Sequence, residues 1–298
     1  MEAKKFKRGL HFKQHLMGYI FLLPTVILFL IFTVVPFVMS FYIAFTDYNL
    51  VVMKGGAGFE NFKTAFMNTE FMRSFLNILL YVVMFVPLTI ITSLLAAVLV
   101  NSSLKGVKIM RIIFYLPAVT GGVAIAFVWG WIYNTEYGLL NGILRTLGMS
   151  GLDWLDSRSY FVMVCVVIVA VWSGVGGNML IFLAALKGIS PEYYEAAELD
   201  GANGFTKLTK ITVPLIAPTM YFITTMTLIG AFQMFDLIYI MVPAGSMEWA
   251  RSPVVMIHEI GFTRFRGGLG TAMSLILFAV IMIVTFIFQR FAKEDNTL

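Results

Sequence analysis

Six long apolar stretches separated by polar segments dominate the chain, over residues 16–46, 74–100, 112–134, 160–186, 211–241 and 271–289. A helix needs about 20 apolar residues to cross a hydrocarbon core, so the pattern predicts six membrane-spanning helices. The first and fifth stretches exceed that minimum, which predicts tilt, kinks or protruding ends. Pro24 and Pro36 in the first, Pro87 in the second, and Pro214 and Pro218 in the fifth are the expected kink points. Proline removes a backbone donor and crowds the carbonyl one turn back. Residues 47–73 are polar, carry Gly55, Gly56 and Gly58, and space Phe59, Phe62 and Phe66 as a helix does. They predict an outer loop followed by a short amphipathic helix. Trp129, Trp131 and Tyr133 fall where an aromatic belt marks the end of the third span.

A basic lead of Lys4, Lys5, Lys7, Arg8 and Lys13 precedes the first stretch. The apolar run that follows is far longer than the ~7–15 residues of a signal-peptide core, so it reads as a retained span. Composition agrees with a lipid solvent. Hydrophobic residues make up 59% and charged residues 12% of 298, with a mean hydropathy of +0.88. A soluble domain holds about 25% charged residues. The formal net charge of +5 is accounted for by basic flanks on one side of the membrane, and no nucleic-acid partner is expected. With a cytoplasmic N-terminus, 13 Lys and Arg residues fall inside and 8 outside. The turn holding Lys105, Lys108 and Arg111 has no acid. Both termini are therefore expected in the cytoplasm. The expected organisation is a cytoplasmic segment over 1–15, a membrane domain over 16–292 and a tail over 293–298. Cys165 is the lone cysteine, so no internal disulfide forms. No metal site is expected.

The spans contain one formally charged residue, Asp236. Ion-coupled carriers usually keep acids, histidines or lysines at depth to hold the driving ion, and voltage sensors keep arginines there. A phosphate-cradling G-x-x-x-x-G-K-[ST] loop is missing, and 201–207 lacks the spacing. Any ATP must then be bound by another chain. His11, His15 and His258 all lie outside the apolar stretches, which argues against an enzyme working inside the membrane. No catalytic residue is expected.

The segment from Ser190 to Gly204 reads as a short helix in the loop between spans four and five. Ser190 suits the N-cap, Pro191 the first helical position and Glu192 the positive helix end, while Gly201 can stop the helix in a left-handed conformation. Glu195, Ala196, Ala197 and Asp200 fall in its body, and the two alanines offer low relief to an approaching backbone. A second helix is expected from about Gly204, through Lys207 and Lys210, into span five. Helix chemistry alone leaves open an ordinary connecting helix at the membrane surface.

The run Glu195-Ala196-Ala197, with Gly201 four residues on and then Ile211 and Pro214, resembles the EAA motif of binding-protein-dependent ABC importer permeases. The longer runs 194–202 and 211–215 are similar to the carbohydrate-uptake branch. Phe21-Leu22-Leu23-Pro24, residues 45–49 and Phe59-Glu60-Asn61-Phe62 resemble the first of the two permeases in maltose-type systems. Two departures stand out: Leu208 occupies a position often aromatic in the family, and residues 242–252 lack the usual glycine-glycine-proline run.

The resemblance implies an all-α membrane protein of the ABC type I importer permease fold, with six transmembrane helices and a cytoplasmic coupling helix between spans four and five. It implies half of a translocation path for a sugar or oligosaccharide, in a bacterial or archaeal cytoplasmic membrane. The implied partners are a second permease chain, two ATPase subunits carrying ATP and Mg, and an extracytoplasmic solute-binding protein. This chain would bind no cofactor. ATPase coupling would fall to Glu195, Ala196, Ala197, Asp200, Gly201, Ile211 and Pro214. Candidates for the solute path are the polar and aromatic residues within spans: Asn77, Tyr81, Trp172, Asn178, Gln233 and Asp236. For each, an inter-helix hydrogen bond is the competing role. Asp236 also has Arg251 as a possible ion-pair partner. The rival functions are a secondary carrier of a small solute and a structural membrane subunit without a path.

Overall fold

The computed structural model describes residues 17–102 and 105–294. The basic lead, His11, His15, the expected N-terminal segment and most of the expected tail lie outside the described residues. In chain order come α1 (Met17–Ala44), β1 (Thr46–Tyr48), β2 (Met53–Gly56) and α2 (Glu60–Met67). Then follow α3 (Thr69–Asn101), α4 (Val107–Val119), α5 (Gly122–Ile132), α6 (Leu139–Thr146), α7 (Phe161–Lys187) and α8 (Pro191–Leu199). The last are α9 (Gly204–Lys207), α10 (Ala217–Phe232), α11 (Asp236–Met241), α12 (Pro253–His258) and α13 (Gly267–Glu294). Among the described residues the fold is thus helical apart from one short antiparallel hairpin, β1–β2, at the start of the loop expected over 47–73.

Among the described residues, five helices are long and apolar enough to cross a membrane: α1, α3, α7, the α10–α11 pair and α13. The sixth span corrects the sequence reading. Residues 112–134 are not one straight helix; α4 and α5 meet at 100°. Pro117 cannot donate a backbone bond, and Thr120 and Gly121 are extended, with ψ of 133° and 137°. The freed end of α4 is satisfied locally: Thr120 donates its N–H to the Pro117 carbonyl at 3.1 Å and its hydroxyl to Leu116 at 3.0 Å. The fifth span is broken too, since α10 ends at Phe232 and the chain restarts at Asp236. Irregular backbone of this kind survives in a bilayer only when protein or a polar cavity surrounds it.

Two of the expected kinks take one form. A π-turn over Leu30–Val34 ends two residues before Pro36, and another over Leu208–Thr212 ends two residues before Pro214. In each, the next N–H reaches back five residues, from Val35 to Leu30 and from Val213 to Leu208. The extra residue relieves the clash between the proline ring and the carbonyl four residues earlier. Pro87 sits inside α3 without ending it.

The chain divides into two compact units, residues 1–65 with 260–275 and residues 66–259 with 276–298. In the first, the Asn61 amide donates to the Ala44 and Thr46 carbonyls, each at 2.9 Å, tying α2 to the end of α1. Phe45 packs its ring against Phe59 and Phe62, which gives the predicted aromatic spacing its use. In the second unit α3 lies along α7, α4 also packs on α7, α10 touches both α3 and α7, and α11 runs beside α5. Tyr81, Met163, Met179, Phe182, Ile223 and Ile238 are buried among them. Lipid is as apolar as these side chains, so close packing rather than water exclusion holds the helices together. Gly176 permits a close approach of two helices: a Cβ there would strike the Phe114 carbonyl oxygen of α4 and lie 2.8 Å from the Tyr115 Cα.

Candidate functional site

The segment between α7 and α10 is a helical hairpin built from α8 and α9. Ser190 holds the N-cap position with extended backbone, although its hydroxyl makes no capping bond. Gly201 ends α8 at φ +78°, in the left-handed region. That turn lets Ala202 donate to the Ala197 carbonyl at 2.8 Å and Gly201 to the Glu198 carbonyl at 3.0 Å, so the last carbonyls of α8 are satisfied. Asn203 then caps α9 by accepting from the Thr206 N–H at 2.9 Å. The helix limits expected from the sequence are therefore met within a residue.

Two side-chain bonds clip the arms together. Lys207 donates to Glu198 at 2.6 Å, and Tyr194 meets the Thr212 hydroxyl at 2.9 Å. Thr212 donates its own proton to the Lys207 carbonyl at 3.2 Å, so the Tyr194 hydroxyl is the donor between the two. The hydrogen bond from Lys207 and its positive charge hold the Glu198 carboxyl below its ordinary pKa.

The alanine pair divides between two surroundings. Ala197 is buried in the hairpin, whereas Ala196 is exposed with Glu195 and Asp200. Ile211 is half-buried and Pro214 exposed beside the π-turn. Leu199 is 91% exposed and Phe205 75% exposed. The sequence reading passed over both; large apolar residues in an otherwise polar loop were the available signal.

The six solute-path candidates do not form one cluster. Asn77 is buried, and its amide donates to the Glu248 and Arg251 carbonyls at 3.0 and 3.2 Å. Tyr81 is fully buried and stacks on Phe85. Asn178 donates to the Thr227 hydroxyl at 3.3 Å, joining α7 to α10. Trp172 is 46% exposed, packs edge-on against Trp129, and lines a cavity of about 380 Å³ with Thr92, Phe114 and Pro117. Gln233 and Asp236 flank the break between α10 and α11, and both are exposed. A Cβ on Gly122 would sit 3.0 Å from an Asp236 carboxylate oxygen, so the breaks in spans three and five adjoin. A second cavity, of about 640 Å³, is lined by Trp131, Tyr137, Asn134, Glu136, Asp153 and Asp156 among others.

Arg251 does not serve Asp236. Its guanidinium pairs with Glu70 at 2.9 Å and Glu259 at 3.7 Å. Alongside, Arg73 pairs with Glu248 and lies 4.8 Å from the Trp249 ring centre. These bonds hold the loop over 242–252 to the first turns of α3, an arrangement the sequence reading did not foresee. Among the described residues no cluster of His, Cys, Asp or Glu is arranged to hold a metal.

Comparison with known proteins agrees with this architecture. Residues 62–294 match the family of binding-protein-dependent transport system inner membrane components. The chain is 33% identical over 290 residues to the "Probable ABC transporter permease protein YesP" of Bacillus subtilis, covering 96% of this chain and 93% of that one. It is 28% identical to the trehalose/maltose transport system permease protein MalF of Thermococcus litoralis, covering 95% and 96%. Its fold is similar to that of a chain in a bacterial alginate ABC transporter, crystallised with a periplasmic protein bound to an alginate pentasaccharide. There the TM-score is 0.85 at 24% identity, over 96% of each chain. With two thirds of its length and more inside the family match, and its broken spans and hairpin on that same stretch, this chain belongs to the binding-protein-dependent transport system inner membrane component family.

Proposed function

We propose that this chain is the permease subunit of an ATP-driven importer of a sugar or oligosaccharide, and that the α8–α9 hairpin seats in an ATPase partner. The observation that carries the coupling role is the hairpin's construction. It is clipped internally by Glu198–Lys207 and Tyr194–Thr212, yet leaves Leu199, Phe205 and Ala196 bare beside Glu195 and Asp200. A rigid projection with an uncovered apolar tip can transmit a push, whereas a flexible loop would absorb it. Leu199 and Phe205 then bury in the partner, Glu195 and Asp200 hold the rim by charge, Ala196 permits close approach, and Ala197 with Gly201 fixes the turn. Ile211 and Pro214 join the hairpin to the fifth span through the π-turn.

The sugar class is supported by the names of relatives, one a trehalose/maltose permease and one from an alginate transporter. The assembly is this chain, a second permease, two ATPase subunits holding ATP and Mg, and an extracytoplasmic solute-binding protein. Both termini and the hairpin face the cytoplasm, in keeping with the basic flanks. Hydrolysis takes place on the partner. Solute passes the adjoining span breaks, where Gln233 and Asp236 offer hydrogen bonds; Trp172 and Asn178 on α7 are further candidates, while the buried Asn77 and Tyr81 serve the packing of α3. Spans bent at such breaks offer hinges for alternating access.

Replacing Gly201 tests the coupling. Valine at φ +78° is strained by more than the ~1–2 kcal/mol of an ordinary L-residue, while asparagine tolerates that region. In the assembled complex, Gly201→Val is expected to abolish most solute-stimulated ATP hydrolysis and uptake, and Gly201→Asn to retain much of both. Equal activity in all three proteins would defeat the coupling role.

A further inference from the structure

The segment between α5 and α7 carries an apolar stripe that nothing among the described residues covers. Helix α6 places Leu139, Ile143 and Leu147 at intervals of four residues, so they follow one another along its surface. They are 49%, 49% and 69% exposed. Met149 and Leu152, in the turn beyond, are exposed as well.

The stripe is held rigidly from behind. Asn141 is fully buried at the back of α6, and its amide group is saturated. It donates to the Thr135 and Leu152 carbonyls, both at 2.9 Å, and accepts from the Leu152 N–H at 3.0 Å and the Trp154 indole at 2.9 Å. Arg145, itself exposed, donates to the Glu136 and Thr135 carbonyls at 2.7 and 3.0 Å and so binds α6 to the preceding loop. Gly148, at φ +77°, turns the chain so that Met149 can donate to Leu144 at 2.9 Å. A segment fastened by this many bonds does not display five large apolar side chains by loose folding. The display is a property of its fold.

We infer that α6 lies in the membrane–water boundary, with Leu139, Ile143 and Leu147 dipped into lipid. The inference rests on the membrane-spanning architecture and does not depend on coupling or on the solute carried. Both ends of the segment are tied to spans, α5 on one side and α7 on the other. Only residues 133–138 separate α5 from α6, which keeps the stripe close to the membrane surface. The stripe follows closely in sequence on the C-terminal half of α5, where Phe127, Val128 and Trp131 are exposed. Exposed aromatic residues, Trp131 at the end of α5 and Tyr137 and Tyr160 in the stretches joining α6 to its neighbours, flank the helix, and such residues settle at bilayer interfaces. An amphipathic helix with a bound-up polar back and a bare aliphatic front is what an interfacial helix requires. The consequence is positional. Glu136, Asp153 and Asp156, on the loops that Asn141 and Arg145 organise, would be fixed at the membrane surface around the 640 Å³ cavity.

Single nitroxide labels test this on the assembled complex in lipid nanodiscs, at Ile143→Cys and Leu147→Cys, with Gly142→Cys as the control off the stripe, an exposed position where an added Cβ meets nothing within 4 Å. Collision with dissolved oxygen, which concentrates in lipid, is compared with collision with a water-soluble nickel chelate. Oxygen is expected to dominate at 143 and 147 and the chelate at 142. Chelate dominance at 143 and 147 would put the stripe in water and overturn the inference. Exclusion of both reagents there would mean that a second protein chain covers it, which overturns it equally.

Discussion

Glu198 and Lys207 face each other across the turn of the hairpin, their charged atoms 2.6 Å apart. They sit on opposite arms, so the pair closes the hairpin rather than stabilising one helix. Because the Glu198 carboxyl is held below its ordinary value of 4.5, the contribution of the pair is fully present above that value. It fades only as pH falls through the lowered folded value. Glu198→Gln should therefore raise amide exchange over residues 190–212 by a constant factor between pH 5 and 8, a factor that shrinks only in more acid solution. Hydrogen exchange on the complex would show it. A difference that vanished on going from pH 6 to pH 8 would contradict the assignment.

On the loop over 242–252 two kinds of contact with α3 can be separated by mutation. Glu70 and Arg73 on α3 pair crosswise with Arg251 and Glu248, and all four are partly exposed. Such pairs contribute about 0.2–1 kcal/mol each. The buried Asn77 amide instead satisfies two backbone carbonyls of the loop. Removing a buried donor leaves the groups it served unsatisfied, at about 1–3 kcal/mol. Asn77→Ala should therefore lower the thermal midpoint of the complex more than Arg73→Ala or Glu248→Ala. Exchanging the charges in Arg73→Glu with Glu248→Arg should recover much of the loss of either change alone.

Much of this structure can be read from the sequence where the determinant is local. Gly201 announces the left-handed stop of α8, and Ser190-Pro191 its start. Pro36 and Pro214 announce distortions, though their form as π-turns depends on how the backbone regains its lost bonds. The 100° break at Thr120–Gly121 was missed because hydropathy averages over it, although Pro117, inside the third apolar stretch, was the available signal. Long-range pairs were hidden for another reason. Arg73 and Glu248 lie 175 positions apart, and no local pattern joins them. The path candidates were chosen by polarity and aromatic character, and the structure divides them by burial: Asn77 and Tyr81 are enclosed, while Gln233 and Asp236 are open.

Asp236 is exposed at the first turn of α11, where a carboxylate is favoured by the helix end, and it forms no ion pair among the described residues. Asp236→Asn keeps the shape and removes the charge. Thermal stability should change by no more than about 0.5 kcal/mol, as for most surface substitutions. If the span break lies on the solute path, the solute concentration that half-saturates uptake should rise several-fold. Uptake kinetics of the reconstituted complex, beside a melting curve, would separate the two effects. Unaltered kinetics would remove Asp236 from the path.

Three glycines within four residues of α7 make a final test, because their surroundings differ sharply. A Cβ at Gly174 would meet Thr89 at 3.6 Å, ordinary contact, and at Gly177 it would meet nothing within 4 Å. At Gly176 it would run into the backbone of α4 at Phe114 and Tyr115. Backbone cannot rotate away as a side chain can, so the helices must separate. Alanine at 174 or 177 should be neutral or stabilising by up to about 0.5–1 kcal/mol, since glycine is a poor helix former. Alanine at 176 should cost about 1–3 kcal/mol, the usual range for overpacking, and valine more. Because α4 leads into the broken third span, the separation should also disturb the junction of Gly122 with Asp236. Gly176→Ala should therefore lower both the thermal midpoint and uptake, while the two neighbouring variants lower neither.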